Sequence, residues 1–294
     1  MFNKLGDKEI QWHPPYIAAM NLEMEEDRDN FMFVPEYTLN TGTLKIDLFM
    51  ESITNKPVSN EIGKLFREYN IVEYKNPNDT LDIDVFIKVQ SYAGLYKSYG
   101  EKPDSRKVES ITVSLVREAK PKKLFKYFNE HNIRISNPYK GIYYVLDKVW
   151  FSTQIIVTKE LDKEKHKWLR ALSGKLEEQD LRELLDAVSH LKGKREKEYA
   201  DSVLEVALKA NKRLAEKLRS DENMSKTLLE IMEPVLTEVK QECKEKGRQE
   251  GRQEGMVYAY YEMNVSTNEI AKKVQLDENE VLEILRRRNN NQDD

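Results

Sequence analysis

The chain has 294 residues, 34% of them charged, and a formal net charge of only −4, so no bulk basic field advertises nucleic acid. That length holds one sizeable core plus one or two smaller modules. The lone cysteine, Cys243, excludes an internal disulfide, no apolar run approaches the roughly 20 residues of a membrane span, and MFNKLGDKEIQW lacks the apolar core of a signal peptide, which together lead us to expect a soluble cytoplasmic protein.

Pro14-Pro15 opens a helix, because proline's missing N–H costs nothing in a first turn, and the helix runs on through YIAAMNLEMEEDRD. FMFVPEYTL and TLKIDLFME then read as strands, joined by a hairpin signal at Asn40-Thr41-Gly42. A polar stretch with a short helical piece, NEIGKLFREY, leads to the apolar strand IVEYK. That strand ends at Asn-Pro-Asn-Asp, where proline cannot continue a ladder and Asn and Asp favour a turn. LDIDVFIKVQSYAGLYKSY predicts a helix, with Val85, Val89, Tyr92 and Tyr96 at three- and four-residue spacing. SITVSLV alternates as a strand, KKLFKYFNEH reads as a helix, and GIYYVL and FSTQIIVT read as two further strands. The order α, β, β, β, α, β, α, β, β predicts an α/β or α+β domain over about residues 1–158.

Residues 159–255 are almost purely helical in pattern. LRELLDAVSHL and YADSVLEVALKANKRLAEKL carry amphipathic stripes that read as packing surfaces of a bundle or arm, open to a homo-oligomer. The zone closes on KGRQEGRQEGM, whose four-residue repeat sets Gly247, Gly251 and Gly255 on one helical face. Two readings stand level: close approach of another helix, or a pliable linker, since each glycine costs about 1 kcal/mol against alanine. Residues 256–294 hold two capping boxes, Ser266 to Glu269 and Asp277 to Glu280, on either side of a tight turn at Gln275-Leu276. This predicts a helix-turn-helix-like module. Its second helix begins Glu278-Asn279-Glu280, and its basic residues gather at the far end, Arg286, Arg287 and Arg288. Acid at the reading end repels phosphate, so the pattern supports the fold better than tight DNA contact, with protein docking as the alternative.

Candidate chemistry falls on Asp47 in LKIDLF and on Glu73 and Lys75 in VEYK. At period two Ile71, Glu73 and Lys75 share one strand face, so a carboxylate and an amine end a short strand side by side. Asp47, between Ile46 and Leu48, is an expensive half-buried charge without a partner or a metal. Phosphodiester hydrolysis calls for a divalent cation to neutralise developing charge and activate water. Mg²⁺ keeps several waters, so two or three acidic groups suffice, and a nearby lysine orients or deprotonates the attacking water. Glu-x-Lys alone is a weak signal, because it recurs at Glu118, Glu238 and Glu242. Only Glu73-Tyr74-Lys75 lies inside an apolar strand downstream of an Asp-bearing one. An internal ion pair on the sheet is the competing explanation. The four histidines, His13, His131, His166 and His190, show no metal-ligand spacing, and Cys243 reads as an incidental surface residue. Lys120, Lys122, Lys123 and Lys126, interleaved with Phe125 and Tyr127, suit a DNA backbone, and a solvated helix face explains them equally well.

Strand LKID, a spacer, and strand IVEYK followed by a helix resemble the PD-(D/E)XK nuclease superfamily. NEIGKLFREYNIVEYKNPND, with the C-terminal Gly-x-x-x-Gly repeat, resembles its branch of recombination-promoting nucleases and transposases. The resemblance spans about residues 10–170 and, more loosely, the helical tail. It implies a restriction-endonuclease-like αβββαβ core followed by an all-helical C-terminal region. It also implies a metal-dependent DNA endonuclease linked to recombination or transposition. By resemblance, Asp47 and Glu73 bind Mg²⁺ (or Mn²⁺), Lys75 aids the water, and Glu23 of the first helix supports the metal. Lys88 and Tyr92, in KVQSY, match residues that the helix after the Glu-x-Lys strand contributes. One departure is Ile46, where the superfamily has proline before the aspartate. The competing expectation is a catalytically inert nuclease-fold protein that serves as a DNA-binding or assembly scaffold.

Overall fold

The computed structural model describes residues 11–37, 45–54, 56–221 and 224–290, without the side chains of 239, 242, 243, 246 and 287–290. The hairpin signal Asn40-Thr41-Gly42 and the side chains of Cys243, Arg287 and Arg288 lie outside that description. The described residues fall into two compact units, one before Pro234 and one from Pro234 onward.

The first unit is α+β. Helix α1 (His13–Glu23) opens on Pro14 and Pro15, and a 3₁₀ turn (Glu25–Asn30) takes over where one longer helix was expected. Asp27 explains the change: its Oδ2 accepts the N–H groups of Ser59 and Asn60 at 2.8 and 3.1 Å, which ties this acidic turn to a distant loop. Strands β1 (Phe31–Pro35), β2 (Leu48–Ser52) and β3 (Tyr69–Lys75) follow, and each neighbouring pair runs antiparallel. Helix α2 (Ile83–Ser98), capped by Asp82, returns the chain to β4 (Ile111–Arg117), which lies parallel to β3. Helix α3 (Lys122–Glu130) leads to β5 (Ile135–Tyr139), β6 (Ile142–Val145) and β7 (Ser152–Val157). The seven strands form one mixed sheet in the order β1-β2-β3-β4-β7-β6-β5.

Side-chain alternation explains the two layers around that sheet. Ile71, Val113, Leu115, Ile155 and Val157 form one apolar face and pack with Val89, Tyr92, Ala93 and Tyr96 of α2 and Leu124 and Phe128 of α3. On the other face Tyr74 stacks on Tyr16 of α1, ring centroids 4.6 Å apart. Helix α1 also packs against α4 (Lys167–Ala171) and α6 (Lys194–Ala210). So α4, α5 (Glu178–His190), α6 and α7 (Lys212–Arg219), expected within a separate helical region, belong to the same compact unit as the sheet.

Helix α8 (Lys226–Glu262) runs 37 residues, with Pro234 inside it and the glycine repeat wound into it as continuous helix. In the second unit its end meets α9 (Thr267–Val274) and α10 (Glu278–Asn290) around Val257, Ile270, Val274, Val281 and Leu285. Gln275 takes a left-handed conformation, φ 59°, to turn the chain between α9 and α10. The Asp277–Glu280 box closes in both directions, each backbone N–H donating to the other's carboxylate at 2.9 Å. Among the described residues no helix is long and apolar enough to cross a membrane.

Candidate active site

Three elements deliver the candidate residues. Strand β3 ends at Lys75, so Glu73 and Lys75 close its α2-facing side. Asp47 precedes β2 instead of lying in it, and the reason is local. The β2–β3 ladder starts at Leu48↔Val72, and one residue earlier the Asp47 side chain replaces it: Oδ2 accepts the Tyr74 N–H at 2.8 Å. Toward β1 the pairing continues, with the Asp47 carbonyl accepting the Glu36 N–H at 3.0 Å. Strand β2 therefore parts from β3 at Asp47, next to Glu73.

Glu73 Oε1 accepts from Lys75 Nζ at 2.8 Å, with the two side chains 5% and 16% exposed. Asp47 is 21% exposed, and His13 Nε2 stands 3.5 Å from its Oδ2. Burial raises the Glu73 carboxyl above the usual range, and the Asp47 charge raises it further against the opposing pull of Lys75 and Lys88. The hydrogen bond to Asp47 raises His13, and the Glu73 charge adds to it. Lys88 Nζ lies 5.3 Å from the Tyr92 ring centroid, and the Tyr92 hydroxyl, then Glu73 and Asp47, hold its ammonium above the ordinary lysine value. The structure thus brings Asp47, Glu73, Lys75, Lys88 and Tyr92 together at the C-terminal end of β3, with Glu73 in electrostatic range of Asp47, Lys75 and Lys88, and Lys88 of Tyr92.

Glu23 stands elsewhere. It follows His13 by ten residues, about 15 Å along the helix axis. Its buried Oε1 accepts the Leu169 N–H at 3.1 Å, and its Oε2 lies 3.0 Å from His166 Nδ1. His166 Nε2 is in turn 3.4 Å from Glu61 Oε2, and Lys165 Nζ bonds Glu61 Oε1 at 2.6 Å. Both Glu23 oxygens are committed to fastening α4 on α1, so the α1 residue at Asp47 is His13. Sequence reasoning passed over His13 because it has no histidine or cysteine partner at metal-ligand spacing. Its position at the helix start, beside Pro14, was the available signal.

Two carboxylates suit a hard cation, since Asp47 Oδ1 and Glu73 Oε2 accept no hydrogen bond among the described residues and Asp47 already repels charge from Glu73. Among the described residues no group of three or more His, Cys, Asp or Glu side chains is placed to hold a metal, so the pair would rely on water for its remaining ligands. No family model, curated protein or solved structure matches the chain.

Proposed function

We propose that the chain is a metal-dependent DNA endonuclease built on a restriction-endonuclease-like core. The observation that carries this reading is the buried Glu73, raised by the neighbouring Asp47 charge and bonded to Lys75, where β2 leaves β3. The run α1, β1, β2, β3, α2, β4, with β4 parallel to β3, supports the αβββαβ core. Asp47 and Glu73 would hold Mg²⁺ or Mn²⁺, which when bound supplies a charge sink for the phosphate and a more acidic water. Lys75, fixed through Glu73, offers its amine to the attacking water or a phosphate oxygen. Lys88 extends the positive charge along α2, and Tyr92 orients it. His13 holds Asp47 from the α1 side. The link to recombination or transposition, and a DNA or protein-docking role for residues 256–294, belong to the same proposal. So does self-association through the helical region.

One observation favours an inert scaffold: Glu73 and Lys75 already satisfy each other at 2.8 Å. Supercoiled plasmid with Mg²⁺ separates the two readings. The nuclease nicks or linearises it, Asp47→Asn and Glu73→Gln do not, and the heat of Mn²⁺ binding disappears in Glu73→Gln. A protein that retains plasmid uncut under either metal, or cuts equally well as Asp47→Asn, refutes the nuclease reading.

A further inference from the structure

Beside the face that carries Lys88 and Tyr92, α2 flanks an open groove of about 520 Å³ whose far wall is the segment from Lys148 to Phe151. Three features there stand out. Trp150 is 82% exposed and Ile87 54%, while Trp12 and Trp168 are buried. Gly94 sits in the helix interior, yet a Cβ added to it would meet nothing within 4 Å. A glycine there costs helix stability with no packing reason. Lys148, at the start of the far wall, turns the chain between β6 and β7 with a left-handed backbone at φ 56°, and its amine donates to the His131 carbonyl at 3.0 Å.

The polar groups of the groove are turned inward. The Ser91 and Ser98 hydroxyls donate to the Ile87 and Gly94 carbonyls of their own helix, at 2.9 and 2.7 Å. Gln90 spends its amide on Thr153 and Phe151. No carboxylate lines the groove among the described residues, and Lys97 and Lys148 stand in its wall. The neighbouring acids are engaged, Asp104 by Lys97 and Lys107 and Asp147 by Arg134.

We infer that this groove takes an unpaired base of a single-stranded nucleic acid, its ring on Trp150 and its flanking phosphates toward Lys148 and Lys97. A base needs only an exposed aromatic face, and its phosphates need cations, which Lys97 offers from a bridge to the exposed Asp104 and Lys148 from a bond to the His131 carbonyl. A peptide strand would find few free hydrogen-bonding groups on these walls. A second copy of the chain would set Lys97 and Lys148 against themselves. A duplex keeps its base faces stacked. The inference rests on the nuclease reading for the choice of nucleic acid, and it adds that the substrate carries unpaired nucleotides within reach of α2.

The test is binding by the full-length chain in EDTA with fluorescein-labelled oligothymidylate as the probe, read by the anisotropy of the label for every variant and by tryptophan quenching for the wild type. Because Trp150 is the exposed tryptophan, oligothymidylate should quench emission saturably, and more weakly as salt rises. Trp150→Ala should weaken binding about tenfold, the scale of one lost base–aromatic stack, and Trp150→Phe should restore most of it. Gly94→Leu, which fills open space on the helix, should weaken it similarly with an unchanged or higher melting temperature. Equal quenching by a duplex of the same length, or unaltered affinity in both Trp150→Ala and Gly94→Leu, overturns the inference. So does quenching by an acidic helical peptide in place of the oligonucleotide, or a dimer that Trp150→Ala dissolves. The assay contains no metal, so a chain that binds oligothymidylate but cuts nothing loses the nuclease reading alone, and one that cuts plasmid without this binding loses the groove alone.

Discussion

Glu23→Ala is the substitution that most directly weighs architecture against chemistry in the first unit. The wild-type carboxylate is buried, bonded to His166 Nδ1 at 3.0 Å and to the Leu169 N–H at 3.1 Å. Removing it leaves the buried His166 Nδ1 and a backbone donor without their partner, with only the longer Glu61 contact at Nε2 still holding the imidazole. Breaking a buried ion pair from one side costs about 3–5 kcal/mol. For a unit of this size each kcal/mol lowers the melting temperature by roughly 2–4 °C, so the variant should melt about 6–20 °C below wild type. Burial pulls the His166 pKa down, but Glu23 and Glu61 more than offset it and leave it raised above 6.5. The folded state therefore holds this proton more tightly than the unfolded chain does. The imidazolium's contribution is complete below pH 6.5 and is lost as pH rises through the raised folded value. Thermal unfolding followed by circular dichroism at pH 6 and again in mild alkali should show the gap between wild type and variant narrowing with pH. A gap below about 2 °C at pH 6, or one that widens in alkali, refutes the reasoning. A variant that melts like wild type but no longer binds Mn²⁺ would return Glu23 to the metal site.

Two further outcomes concern the second unit and its helix. Replacing Gly247, Gly251 and Gly255 together by alanine should deepen the helical dichroism at 222 nm and stabilise α8, by about 1 kcal/mol for each site, because no neighbour lies within 4 Å of any added Cβ; a weaker helical signal would mean that something occupies that face. Asp277→Ala should destabilise the unit by about 1 kcal/mol through loss of the N-cap on α10, detectable as faster amide exchange in α10, and unchanged exchange would show the box to be dispensable.

Elements with a local signature were legible in the sequence. IVEYK combined an apolar run with a proline stop, α2 had its three-and-four spacing, and Asp277–Glu280 wrote its own cap. Strand β5 was passed over because Pro138 argues against a strand, and the sheet tolerates it there because β5 is the last strand of the order. The glycine repeat read as a linker or a contact face, yet the chain winds through it as helix. The Glu23–His166 pair joins residues 143 apart, and no window of sequence contains both. The same holds for His13 and Asp47, so the candidate site could be read down to its strand residues but not to the helix residue that braces it.

The parting of β2 from β3 changes how a familiar mutation must be interpreted. Asp47 is at once a candidate ligand and the stopper that keeps two strands from zipping one residue further, because its Oδ2 occupies the Tyr74 N–H. Alanine at this position removes both functions: it deletes a charge and frees a backbone donor that β2 can recruit, drawing the strands together over Glu73. Asparagine keeps an oxygen acceptor for Tyr74 and removes only the charge. An inactive alanine variant would therefore report a closed cleft as readily as a missing ligand, whereas an inactive asparagine variant reports the chemistry by itself.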